Sequence, residues 1–206
     1  MNAKATRQLI VEAADRLFYE RGFEHTSFAD ISTAVELSRG NFYYHFKSKD
    51  EILDAVIEHR LAKTRALLSE WECAARSPRD RIRSFIHILI ANRMPIQRHG
   101  CPVGTLCNEL AKLEHPLRDH ARELFTLFRE WLREQFIALG KPTDADALAI
   151  HLLARSQGVA TLANAFDDEA FIRREVDALD AWLDATLHQA DRTRPKTRTR
   201  KRLVTR

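Results

Sequence analysis

TSFADISTAVELSRGNFYYHFKSKDEIL occupies Thr26 to Leu53, and it contains one helix-start signal after another. Thr26 or Ser27 can cap a helix over about Phe28 to Val35, with Asp30 three residues after Ser27. Ser38 can cap a second helix, and Ser48-x-x-Glu51 is a capping box for a third. The two short helices joined by Val35-Glu36-Leu37 read as a helix-turn-helix, with Ile31, Ala34 and Leu37 forming the apolar inside of the turn. Phe42 and Phe46 stand four apart, so they share one face of the second helix and can anchor it. Arg39, Gly40, Asn41, Tyr43, Tyr44 and His45 are left around the exposed side.

That exposed set suits a helix lying in a DNA major groove. Arg can bond guanine N7 and O6, and Asn can pair with adenine N6 and N7. Gly40 adds no side chain and lets the backbone approach closely. Tyrosine hydroxyls, His45 and lysines can bond phosphate oxygens, and the helix start near Lys49 offers unpaired backbone N–H groups to a phosphate. The plain alternative is a short helix with a solvated polar face and Tyr43 and Tyr44 half-buried in a core. Residue chemistry alone leaves both open.

Outward from this stretch the chain reads as all-α. It has 206 residues, 45% of them hydrophobic, with six Gly and six Pro, and long periodic apolar segments dominate. About nine helices are expected. Besides the three above, they run over about 5–20, from Ser77-Pro78 to the break at Arg98–Leu110, from near Thr105, and over about 117–139, 143–166 and 170–189; the helix after Ser48 reaches towards Ala75. No run of about 18 apolar residues predicts a membrane span, and the first residues do not read as a signal peptide. Cys73, Cys101 and Cys107 are too few and too odd in number for a disulfide framework, which fits a reducing cytoplasm. The net charge is +4, but Arg192–Arg206 carries eight Lys/Arg and no acid, so the body sits near −4. Affinity of the body for nucleic acid must come from where its charges lie. Residues 192–206 lack apolar content and read as a basic, disordered tail, either adding nonspecific phosphate contacts or merely solvated.

The stretch from Thr26 to Leu53 resembles the DNA-binding signature of TetR-family transcriptional regulators. The resemblance rests on the Asp30-Ile31 pair, the serine opening the recognition helix, Tyr-x-His-Phe and Lys-Ser-Lys-Asp/Glu. It implies a DNA-binding domain over residues 1–53, with Thr26, Ser27, Arg39, Gly40, Asn41, Tyr43, Tyr44, His45, Lys47 and Lys49 at double-stranded DNA. One position departs from the pattern: the family usually has Gly in the turn, and this chain has Glu36. That position commonly needs φ > 0, where a side chain costs roughly 1 kcal/mol.

The resemblance also implies a ligand-binding and dimerisation domain over residues 54–191. Leu148, Leu152, Val159 and Ala163, followed by Ile172, Val176, Leu179, Leu183 and Leu187, make apolar stripes on the last two helices. Through about 144–166 and 170–189 two subunits would form a four-helix interface; the alternative is that the stripes are core within one chain. Phe85, Ile88, Leu89, Leu106, Leu110, Phe125, Phe128 and Trp131 are candidates to line an apolar effector cavity, or else plain core. RHGCPVGTLCNEL (Arg98–Leu110) places Cys101 between Gly100 and Pro102, outside regular helix, where it either reacts with electrophiles or oxidants or packs as a small hydrophobe. His99, Cys101 and Cys107 lack a fourth metal ligand, so neither metal nor cofactor is expected.

The expected function is therefore a cytoplasmic, homodimeric repressor on a palindromic operator, released by a small-molecule effector. The alternatives are a thiol-based sensor using Cys101, an all-α enzyme, and a nonspecific nucleic-acid binder driven by the tail. No phosphate-binding glycine loop, metalloprotease helix or nucleophile elbow favours the enzyme.

Overall fold

In a computed structural model, which describes residues 3–193 apart from the side chains of Arg39, Glu169 and 189–193, serine side chains open helix after helix. Ten α-helices follow in chain order: α1 (Ala3–Arg21), α2 (Phe28–Ala34), α3 (Arg39–His45), α4 (Lys49–Ala74), α5 (Pro78–Ala91), α6 (Arg93–His99), α7 (Pro102–Lys112), α8 (Arg118–Ala138), α9 (Ala145–Phe166) and α10 (Glu169–Thr193). Ser27, Ser38, Ser48 and Ser77 each accept a backbone N–H at their helix start. Each satisfies one of the donors that a helix N-terminus leaves free. The all-α architecture is as expected. The helix not separated in the sequence is α6, which follows α5 directly at Asn92.

Two hydrophobic clusters organise these helices. One gathers Ile10, Ala14, Leu17 and Phe18 of α1, Ile31 of α2, Phe42 of α3 and Ile52 to Leu61 of α4. It also takes in Leu106 and Leu110 of α7 and Ala121 and Leu124 of α8. The other joins the far end of α4 at Leu68 to α5, α6, α8, α9 and α10. Helix α4 thus belongs to both. Arg79 and Arg83 of α5 pair with Asp184 of α10 at 2.5 and 3.1 Å, and the Arg79 bond holds the Asp184 carboxyl below its usual range.

The stripes expected to form a dimer interface are instead core. Leu152, Val159, Ala163, Ile172, Val176, Leu179 and Leu183 are buried within the chain. Helix α9 is apolar nearly all round, so one side packs on α8 and α6 and leaves another side outward. Helix α10 runs to Thr193, two residues into the segment expected as a tail; residues 194–206 lie outside the described residues. No helix among the described residues is long and apolar enough to cross a membrane.

Candidate nucleic-acid interface and effector cavity

The helix-turn-helix is assembled from caps and two phenylalanines. Ser27 Oγ accepts the Asp30 N–H at 3.0 Å, and the Asp30 carboxylate accepts the Ser27 N–H at 2.8 Å and its hydroxyl at 2.6 Å. These bonds to the anion hold the Asp30 carboxyl below its usual range. In the turn Glu36 lies at φ 53, the left-handed conformation expected there. Its N–H donates to Thr33 O at 3.1 Å, and Leu37 N–H donates to Ser32 O at 3.4 Å. Phe42 and Phe46 are 1% and 2% exposed, and Phe28 meets Phe42 edge-on at 4.7 Å.

The opposite face of α3 presents Gly40, Asn41, Tyr43 and Tyr44, all exposed, with His45 half-buried beside them. Tyr43 leans on Phe28 with ring centroids 5.0 Å apart, and Tyr44 meets His45 at 5.1 Å. A Cβ built on Gly40 meets nothing within 4 Å, so the backbone there is open to close approach. Lys47 is exposed and its ammonium donates to the Tyr43 carbonyl at the end of α3. Ser27 is exposed but committed to its cap. The Arg39 side chain lies outside the described part of the structure, although its backbone opens α3.

Two assignments to DNA need correction. Thr26 is fully buried, and its hydroxyl donates to Gly22 O at 2.7 Å; it locks the α1–α2 loop and cannot reach a groove. Lys49 turns inward, donating to Phe23 O at 3.0 Å with its ammonium 4.1 Å from the Phe23 ring centroid. It ties the start of α4 to that loop, instead of extending to a phosphate.

The helical remainder encloses an apolar cavity of about 230 Å³. Phe85, Ile88, Leu89, Cys101, Phe125 and Phe128 line it, as the sequence suggested. Leu106 and Leu110 do not: they belong to the cluster around α1 and α4. Trp131 does not either, because it packs on Trp71 at 5.6 Å and its Nε1 donates to Glu72 at 2.8 Å. Tyr19, Thr64, Leu67, Asn92, Ile96, Leu153, Ser156, Gln157 and Ala160 also line the cavity. Of these, Tyr19 comes from α1, far away in sequence. Burial pushes its phenol up to about 12, with Cys101 adding and Arg60 opposing, so it stays a neutral donor.

Cys101 sits at the start of α7, where its sulfur accepts Gly104 N–H at 3.5 Å and Gln157 Nε2–H at 3.4 Å. The same loop is tied to α1 and α4. Tyr19 hydroxyl donates to Gly100 O at 2.7 Å. Arg60 of α4, 7% exposed, reaches Asp15 of α1 at 2.5 Å and Pro102 O at 2.6 Å. Further along α7, the Glu109 carboxylate accepts the N–H groups of Phe23 and Glu24, each at 2.9 Å. Helix α7 therefore borders the cavity and grips α1 and the α1–α2 loop. Among the described residues no group of three His, Cys, Asp or Glu side chains is placed to hold a metal ion.

Known proteins share both halves. Residues 10–56 match the family model for bacterial regulatory proteins of the tetR family. Residues 78–178 match the C-terminal domain of LmrA/YxaF-like transcriptional regulators. The chain is 29% identical over 182 residues to an uncharacterized HTH-type transcriptional regulator in the lacX 3′ region of Lactococcus lactis subsp. lactis, covering 86% of this chain and 93% of that protein. It is 30% identical over 162 residues to the HTH-type transcriptional repressor DhaR of Mycobacterium sp. strain GP1, covering 74% of this chain and 79% of the repressor. The crystal structure of a TetR transcriptional regulator from Chloroflexus aurantiacus J-10-FL superposes with a TM-score of 0.78 at 25% identity, over 88% of this chain and 96% of the other. Similarity thus extends over the DNA-reading helices and the cavity-bearing helices alike, and the chain belongs to the TetR family of DNA-binding transcriptional regulators.

Proposed function

We propose that this chain is a homodimeric repressor that reads a two-fold operator with α3 and leaves it when a small, mainly apolar effector fills the cavity. The observation that carries the DNA reading is the division of α3. Phe42 and Phe46 fix the helix in the core, while Gly40, Asn41, Tyr43 and Tyr44 face outward. In this reading Asn41 in the first turn and Arg39 read bases, while Tyr43, Tyr44, His45 and Lys47 contact phosphates. Residues 1–53 form the reading unit and 54–191 the effector and dimer unit, with α4 shared between them.

The dimer reading rests on an outward row of α9. Ile150, Ala154, Gly158, Leu162 and Phe166 recur every fourth residue and are all exposed. Phe166 is 74% exposed, and a Cβ on Gly158 meets nothing within 4 Å. The exposed Ala178, Ala181 and Ala185 of α10 are small enough for close helix packing. This is a different face from the buried stripes of the same helices.

Effector response would run through α7. A ligand pressing on Tyr19, Cys101 and Pro102 acts on the bonds that α1 and α4 make to that loop. Such a ligand releases DNA by preferring a dimer whose two α3 helices no longer match successive major grooves. A second reading, covalent sensing by Cys101, is favoured by one observation: Cys101 lines the cavity. Release by thiol-reactive compounds that Cys101→Ser resists would support it.

Footprinting on the DNA upstream of the protein's own coding region tests the main reading. Asn41→Ala is expected to lose about 1–3 kcal/mol on the protected site and to relax one base preference in each half-site. Unchanged affinity and unchanged base preference would remove Asn41 from the interface.

A further inference from the structure

The effector cavity adjoins a second space. Tyr19, Thr64, Pro102 and Val103 line the cavity and also line a cleft of about 440 Å³ between α1 and α4. The two differ in chemistry. Leucine, isoleucine and phenylalanine dominate the cavity, whereas the cleft adds Glu12, Asp15, Arg16, Arg60 and Lys63. Both acids are already engaged: Glu12 Oε1 accepts Gln8 Nε2–H at 2.9 Å, and Asp15 receives Arg60 Nε–H at 2.5 Å. Arg16 and Lys63 are exposed and carry no ion pair among the described residues. Glu12 is bonded only to a neutral amide and keeps its charge, so three cations against two carboxylates leave the cleft with a net charge of +1, with Arg16 and Lys63 the cations not already paired.

We infer that the effector is a small amphipathic organic anion, with its apolar tail in the cavity and its anionic head in the cleft beside Arg16, Lys63 and Arg60. This rests on the effector reading above and gives that ligand a chemical class. The volume sets the tail, because about 230 Å³ lies below the roughly 300–1,000 Å³ of pockets for drug-sized ligands. Tyr19, Thr64, Pro102 and Val103 stand between the two spaces, so a molecule that occupies both must part these side chains. A head placed there competes with Asp15 for Arg60, whose other bond runs to Pro102 O. The anion that fits best is therefore also the one that loosens α4 from α1 and from the start of α7. Guanidinium and ammonium donors favour such a head through charge-assisted hydrogen bonds.

Calorimetry on the full-length protein without DNA, using decanoate, decanol and acetate as probes, tests the class. Decanoate is expected to bind, with decanol weaker by about tenfold or more, the scale of one charge-assisted contact, and acetate weaker still, because it keeps the head but lacks the buried chain. Arg16→Gln combined with Lys63→Gln should weaken decanoate by about the same factor and leave decanol unchanged. Ala160→Phe, which fills the cavity, should weaken both long-chain probes. Equal binding of decanoate and decanol, or no loss in the double variant, overturns the anionic head; if Ala160→Phe still blocks decanol, the effector cavity itself stands. Binding by none of the probes also overturns the inference, and the effector reading is then decided separately by mass measurement of ligand retained on purification.

Discussion

Replacing Arg60 by Met should cost about 3 kcal/mol of stability, and the structure shows where that figure comes from. Met keeps the apolar stem and removes the guanidinium fork. Three acceptors lose an Arg60 bond, and the long 3.4 Å bond to the Asp15 carbonyl contributes least. The Pro102 carbonyl, held at 2.6 Å, becomes an unsatisfied acceptor in a region where Arg60 itself is 7% exposed. Such a group costs about 1–3 kcal/mol. The Asp15 carboxylate loses its 2.5 Å pair, but its side chain is 21% exposed and water recovers part of the loss. Breaking a fully buried pair costs about 3–5 kcal/mol, so about 1–2 kcal/mol is the share expected here. The assay is urea denaturation at one fixed protein concentration, since the stability of any self-associating protein depends on concentration. A double-mutant cycle with Asp15→Asn should return a coupling of about 1–2 kcal/mol. A loss below about 0.5 kcal/mol with no coupling, the range of ordinary surface changes, would refute the reasoning. The α1–α4–α7 junction would then be held by packing alone.

Glu36→Gly should change stability by no more than about 1 kcal/mol, because relief of the left-handed strain is opposed by the greater freedom of glycine in the unfolded chain; a larger loss in a melting curve would show that the Glu36 side chain makes a contact of its own. The Asp30 carboxyl is held below its usual range by its bonds to Ser27, so its folded pKa lies under the unfolded value of about 3.9. Its stabilisation of the α2 start is therefore present above that unfolded value and is lost as pH falls through the folded one. Hydrogen exchange at Asp30 N–H should speed up in Asp30→Asn at neutral pH, and equal rates in the two proteins would show that the cap does not depend on charge. Burial and the nearby Cys101 push the Cys107 thiol up to about 11, leaving little thiolate at neutral pH. Brief alkylation followed by mass mapping should therefore label Cys73, which is exposed, well before Cys107; the reverse order would mean that α7 opens readily.

The reading head was legible because its signals are local. Ser27, Ser38 and Ser48 announce helix starts within three residues, and Phe42 and Phe46 mark one face by their spacing alone. Even the departure at Glu36 could be placed in the left-handed region beforehand. What local pattern could not decide was direction. Thr26 and Ser27 look equally fit to cap α2, and only the carbonyl of Gly22, brought near by the α1–α2 loop, takes Thr26 inside. Lys49 looks like a free cation until Phe23 is folded beneath it. On α9 apolar residues occupy both sides, so periodicity could not say which side meets α8 and which remains outward. Tyr19 was missed for the plainest reason. It lies on the first helix, where nothing in its neighbourhood hints at a cavity walled by residues 64 to 160.

The two hydrophobic clusters also bear on how such regulators exchange parts. A cut after Leu53 leaves behind Val56, Ile57 and Leu61 of α4 and Leu106 and Leu110 of α7, all of which fill the cluster under α1 and α3. A chimera built by grafting residues 1–53 onto a relative's remainder would confront that foreign surface with Ile10, Leu17 and Phe18. If α3 reads the operator as proposed, new specificity is more portable when its outward residues are transplanted alone, or when the inner faces of α4 and α7 travel with the graft.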